Sequence, residues 1–167
     1  MKTLVIVRHS KAELHKYGLS DFNRKLAKRG LREAPFIAEK IKDLGYFPDA
    51  LISSPAARAL KSCQFYAGVF GIPKQEILQK DFMYDFFEVE DIRELLTEEL
   101  VDKERVFVFG HNPTFAELIH DLTPGFHDLL PTSGAVGIEF NIDNWADMKR
   151  KSGIQVFFEY PKKYISS

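Results

Sequence analysis

The stretch Leu4–Glu13, LVIVRHSKAE, opens as a buried strand and then abruptly stops being apolar. Leu4 to Val7 run directly into Arg8 and His9, with Ser10 and Lys11 behind them. A continuous apolar run, as opposed to an alternating one, marks a strand covered on both faces, so Thr3–Arg8 is predicted as a strand within a parallel sheet. In open sheets of that kind, ligands bind beyond the carboxyl ends of the strands, beside the N-termini of the following helices. A guanidinium and an imidazole at such an end therefore mark a candidate binding site.

The rest of the chain supplies the expected partners of that strand. Leu31, Ala34, Ala38, Ile41 and Leu44 mark one face of a helix, with Gly45 as its C-cap and Pro35 as a kink near its first turns. Asp49–Ser54 (DALISS) reads as a second strand, followed by a helix with Ser54 as N-cap, Pro55 as its first residue and Gly71 as its stop. Ile77–Gln79 is a short strand candidate and Asp91–Leu100 a helix. Arg105–Gly110 (RVFVFG) is the third clear apolar strand, and Asn112-Pro113 starts a helix running to about Leu122. AVGIEF and IQVFFEY then alternate, as antiparallel strands at one edge do. This order predicts an α/β fold: a three-layer α/β/α sandwich on a mostly parallel sheet with a mixed or antiparallel edge.

Three strand ends carry unusual residues. The first ends in Arg8-His9, the second leads through SSPAAR to Arg58, and the third ends in Gly110-His111. If these strands are neighbours, two guanidiniums and two imidazoles face one crevice. Arginines and helix N-termini together suit a dianion, most plainly a phosphoryl group, and an imidazole can serve as nucleophile.

VRHSKAE resembles the N-terminal signature of the histidine phosphatase superfamily, the phosphoglycerate mutase-like fold, whose usual form is Arg-His-Gly. SSPAARALKS is similar to its Ser-Ser-Pro-x-x-Arg-Ala segment, and VFGHNP resembles the strand bearing its second histidine. DFNRKLAKRG, PTSGAVGIEF and the short length resemble the SixA-type phosphohistidine phosphatases. Ser10 stands where the superfamily usually has Gly, and Asn23 where this branch often has Asp.

The resemblance implies that His9 attacks phosphorus in line and becomes phosphorylated, after which water hydrolyses the phosphoenzyme. Arg8, Arg58 and His111 would hold the phosphoryl oxygens, with Ser10 and Ser133 as further phosphate-binding candidates and backbone N–H groups of Ser133 and Gly134 nearby. No metal and no cofactor is expected, because the arginines supply the positive charge. A general acid, where one is needed, would come from Asp81, Asp85, Glu88, Glu90 or Asp91, of which Glu88 is preferred. An imidazole leaves with a pKa of about 6.5, whereas an oxygen leaving group can be roughly ten units more basic. A phosphohistidine substrate therefore needs an acid less, and the short Asp81–Glu104 connection leaves no room for a cap. Residues 1–167 are expected to form one domain acting on a phosphorylated protein, with a small phosphate ester as the alternative substrate. A non-catalytic phosphate-binding module is the alternative from outside enzymes.

Composition narrows the classes further. The chain has 167 residues, 23 Lys plus Arg and 24 Asp plus Glu, which gives no basic surface for nucleic acid. One cysteine, Cys63, excludes an intramolecular disulfide and a multi-cysteine metal site, and fits a cytoplasmic setting. No apolar run is long enough for a signal core or a membrane span. His15, His120 and His127 show no ligand spacing, Lys11 reads as a solvated loop cation, and no glycine-rich nucleotide motif follows any strand.

Overall fold

The computed structural model describes residues 1–165. The strand that opens the chain, β1 (Lys2–Arg8), has β4 (Arg105–Gly110) parallel on one side and β5 (Ala135–Phe140) antiparallel on the other. With β2 (Ala50–Ser53), β3 (Leu78–Gln79) and β6 (Ile154–Glu159), the sheet order is β3-β2-β4-β1-β5-β6. The four strands β3, β2, β4 and β1 run parallel, while β5 and β6 form the antiparallel edge.

Period-two alternation divides the core into two layers. Leu4, Ile6, Val106 and Val108 face the side covered by α3 (Val89–Glu99) and α4 (Thr114–Leu122). Val5, Val7, Phe107 and Phe109 face the side covered by α1 (Lys28–Asp43) and α2 (Ala57–Phe70). Every one of these strand residues is almost wholly buried. Each such aliphatic side chain contributes roughly 1.5–3 kcal/mol relative to exposure. The three-layer arrangement therefore follows from strands that are apolar at every position.

Several boundaries differ from the sequence reading, each for a local reason. The buried face of α1 is Gly30, Ala34, Ile37, Ala38 and Ile41, whereas Leu31 and Leu44 are exposed. Gly30 lies on the contact line, and a Cβ there would stand 2.2 Å from the Lys11 carbonyl oxygen. Only glycine lets α1 come that close to the loop after β1. Pro35 lies within α1, and Gly45 follows its C-cap residue Leu44. At the end of α2, Gly71 takes the left-handed conformation at φ 70° that a side chain disfavours.

Ser54 does not cap α2. Its N–H continues the ladder to the Phe109 carbonyl at 3.0 Å, and the helix begins at Ala57 with Ala56 at its N-cap. Helix α3 starts earlier than Asp91, because a capping box closes between Glu88 and Asp91. Asn112 Oδ1 accepts the Ala116 N–H at 3.2 Å, so it supports the head of α4 from just outside the helix.

The β5–β6 connection lies at the opposite end of the sheet from Arg8, since Phe140 pairs with Lys2. There Trp145 is buried, donates its indole N–H to the Lys103 carbonyl at 2.8 Å, and has the Lys2 ammonium 5.6 Å over its ring. No helix among the described residues is long and apolar enough to cross a membrane.

Candidate active site

The register brings the predicted residues together. Arg8 pairs with Gly110 across β1–β4, so His9 and His111 follow neighbouring strand ends. The His9 N–H donates to the Gly110 carbonyl at 3.0 Å, and the Arg8 N–H to the Gly134 carbonyl at 2.9 Å, which fixes the backbone on both sides. The two imidazole centroids are 5.3 Å apart. Arg58 reaches the same crevice from the first turn of α2. Only 7%, 6% and 9% of His9, Arg58 and His111 remain exposed, so their charges act in a site that excludes most water.

Hydrogen bonding decides which nitrogen of His9 is reactive. Nδ1 lies 2.8 Å from the Ser10 carbonyl oxygen, and a carbonyl only accepts, so Nδ1 carries the proton. Nε2 keeps its lone pair and receives Arg58 Nε–H at 3.4 Å. Burial, followed by His111 and the two arginines, lowers the His9 pKa to about 3, against the opposing pull of the Ser10 carbonyl. Burial and then Arg58 lower His111 to about 4. Both rings are neutral near pH 7.

Two residues at this crevice keep a buried nitrogen with no protein partner, Arg8 Nε and His111 Nδ1. Buried polar atoms are normally bonded, so both residues keep unmet hydrogen-bonding capacity next to the crevice. Other contacts of the same residues are satisfied internally. Arg8 donates to the Leu130 carbonyl at 3.0 Å, and His111 Nε2 shares a hydrogen bond with Ser54 Oγ at 2.8 Å.

Ser10 and Ser133 lie under His9, but their backbone donors are engaged within the fold. Ser10 N–H donates to Ser62 Oγ at 2.9 Å, Ser133 N–H to the His9 carbonyl at 3.1 Å and Gly134 N–H to the Pro131 carbonyl at 2.9 Å. The two hydroxyls, both buried, bond each other at 2.6 Å. Ser133 holds φ 65°, a left-handed conformation unusual for serine. The structure thus makes this pair the support beneath His9, in place of direct backbone contacts to phosphate.

Glu88 does not join the four. It is the exposed N-cap of α3, with its N–H bonded to the Asp91 carboxylate at 2.9 Å. Glu90 pairs with Arg150, and Asp81 and Asp85 are exposed. Among the described residues, no hydrogen bond links any of these five carboxylates to Arg8, His9, Arg58 or His111. Asn23 is exposed and bonds Ser20 Oγ at 2.9 Å.

The carboxylate that reaches the site is Asp21, which sequence reasoning missed. Its carbonyl and Oδ2 accept from Arg58 at 2.8 and 3.0 Å, and Oδ2 also accepts from the Tyr84 hydroxyl at 2.7 Å. The Tyr84 hydrogen bond first, then Arg58 and Arg24, hold the Asp21 carboxyl at about 2 against the pull of burial. The available signal was the Asp-x-x-Arg spacing inside DFNRKLAKRG, whose Asp21 and Arg24 pair at 3.1 Å.

Comparison with solved structures agrees with this fold. The protein described as the phosphohistidine phosphatase SixA from Agrobacterium tumefaciens is 27% identical, with a TM-score of 0.78 over 96% of this chain and 98% of its own. The protein histidine phosphatase SixA complexed with tungstate has a TM-score of 0.81 at 20% identity, covering 96% and 98%. The chain has the histidine phosphatase fold. By class it is a phosphatase. A phosphoserine phosphatase from Entamoeba histolytica with the same fold is more distant, with a TM-score of 0.66 and 16% identity over 95% and 96%. No family model matches the sequence, and neither does any curated protein.

Proposed function

We propose that this histidine phosphatase-like chain works without a metal, through a phosphohistidine intermediate on His9, and takes phosphohistidine residues of proteins as substrate. The carrying observation is the unprotonated Nε2 of His9, with Arg58 Nε at 3.4 Å and the His111 ring centroid 5.3 Å from its own. Nε2 attacks phosphorus, and the bond from phosphorus to the substrate imidazole breaks. That imidazole keeps the bonding pair and takes a proton from solvent. Arg8, Arg58 and His111 hold the equatorial oxygens, where charge must be stabilised in the transition state. Water then adds to phosphorus, the bond to His9 breaks, and inorganic phosphate leaves.

Two features support a phosphohistidine protein over a phosphate ester. Asp21, the carboxylate bonded into the crevice, is ionised at neutral pH and so is no proton donor to a basic leaving oxygen. The β3–β4 connection is short, with one turn at Asp81–Tyr84, from which Tyr84 reaches Asp21 and His111, and α3, which packs onto the sheet.

The test is turnover of a chemically phosphorylated histidine protein and of an aryl phosphate, both with EDTA, by wild type and His9→Ala. The expected result is metal-independent turnover, faster on the phosphohistidine protein and abolished in His9→Ala, with an acid-labile, alkali-stable phosphoenzyme. Turnover that survives His9→Ala, or that stops in EDTA, overturns the mechanism. Faster turnover of the aryl phosphate overturns the substrate assignment, and binding without turnover would indicate a phosphate-binding module.

A further inference from the structure

A guanidinium offers an oxyanion two flat edges: an end-on edge made by its two terminal nitrogens, and a side-on edge made by Nε and one of them. In Arg58 the end-on edge is already occupied. One terminal nitrogen donates to the Asp21 carbonyl at 2.8 Å and the other to Asp21 Oδ2 at 3.0 Å. The side-on edge faces His9, where Nε lies 3.4 Å from Nε2. Arg58 is 6% exposed, while the Asp21 side chain is 47% exposed, so the carboxylate sits at the mouth and the guanidinium beneath it.

Asp21 is itself held by two further side chains, one from its own turn and one from the turn before α3. The Tyr84 hydroxyl donates to Oδ2 at 2.7 Å, and Arg24 Nε donates to Oδ1 at 3.1 Å. The Tyr84 ring stands edge-on to His111 at 5.5 Å and to Phe22 at 5.2 Å. Oδ2 and the backbone carbonyl of Asp21 are thus turned to Arg58, and Tyr84, which helps fix them, also packs against the second histidine.

We propose that Asp21 is a positioning residue for phosphoryl transfer: it clamps the end-on edge of Arg58 so that the side-on edge meets a phosphoryl oxygen beside His9 Nε2. A free arginine side chain samples many rotamers, and holding it in one orientation removes that disorder before substrate arrives. The same carboxylate places a negative charge close to the bound oxyanion and so loosens ground-state binding. Losing Asp21 therefore moves rate and affinity in opposite senses, which a role in folding alone would not do.

The inference rests on Arg58 holding the phosphoryl group, and the experiment keeps the two apart. Turnover of the phosphohistidine protein, equilibrium binding of inorganic phosphate and thermal melting are compared for wild type, Asp21→Ala, Asp21→Asn, Tyr84→Phe and Arg58→Ala. Asp21→Ala is expected to melt near wild type, lose kcat by roughly ten- to hundredfold and bind inorganic phosphate at least as tightly. Asp21→Asn keeps an Oδ acceptor and recovers most of kcat, and Tyr84→Phe shows a smaller loss of the same kind. The inference is overturned by a wild-type kcat in Asp21→Ala, by an Asn variant no better than Ala, or by a loss explained by the unfolded fraction. Turnover that persists in Arg58→Ala overturns the phosphoryl role of Arg58, and the inference with it.

Discussion

His9 presents Nε2 because the Ser10 carbonyl holds the proton on Nδ1, and burial keeps the ring uncharged. Both imidazoles have folded-state pKa values, about 3 and about 4, below the ordinary histidine value. The unfolded chain therefore binds more protons between about pH 6.5 and those values, and stability falls as pH is lowered through that window. Each histidine removes at most about 1.4 kcal/mol per pH unit there. Denaturant melts between pH 7 and pH 4 should show this loss, and the acid limb of kcat/KM should lie near pH 4 or below. A limb centred at the ordinary histidine value would mean that the ring is not held neutral. The Ser10–Ser133 hydroxyl pair gives a second prediction. Ser10→Gly restores the usual superfamily residue but leaves a buried Ser133 hydroxyl alone, which should cost about 1–3 kcal/mol by chemical denaturation, with kcat changed only a few-fold. Arg8, His9, Arg58 and His111 were legible because each follows an apolar strand or its loop. Asp21 and Tyr84 were not, because they sit in short turns with no periodicity and reach the site only through contacts distant in sequence.

Elements were legible wherever burial was continuous, and less so where polar caps compete. Ser54 has the composition of a helix cap, yet the sheet ladder keeps it extended and its hydroxyl goes to His111. Leu31 and Leu44 have the right spacing but flank the line that Gly30 sets against Lys11. The acidic run before α3 was ambiguous for the same reason, since carboxylates serve both helix starts and proton transfer. The capping box resolves it in favour of the helix. Glu88→Ala and Asp91→Ala should each lower stability by about 1 kcal/mol while leaving kcat unchanged. A fall in kcat of a hundredfold or more in Glu88→Ala would instead mark it as the acid.

On the scale of the molecule, the mixed sheet explains how distant segments share one crevice. The parallel strands β1, β2 and β4 end there, and β5 starts there because it runs the other way, which delivers Ser133 and Gly134 beneath His9. The layer order and the antiparallel edge were readable from period and continuity, while the pairing order β3-β2-β4-β1-β5-β6 needed the structure, since many orders satisfy the same pattern. The same polarity places Trp145, the sole tryptophan, at the far pole of the sheet from the crevice. Its indole is sealed from water and distant from any phosphate, so the chain carries an internal optical probe of its own folding. Emission should shift to the red as denaturant exposes the ring, and should stay constant while phosphate is titrated into the folded protein. Integrity and occupancy can then be followed separately in one cuvette.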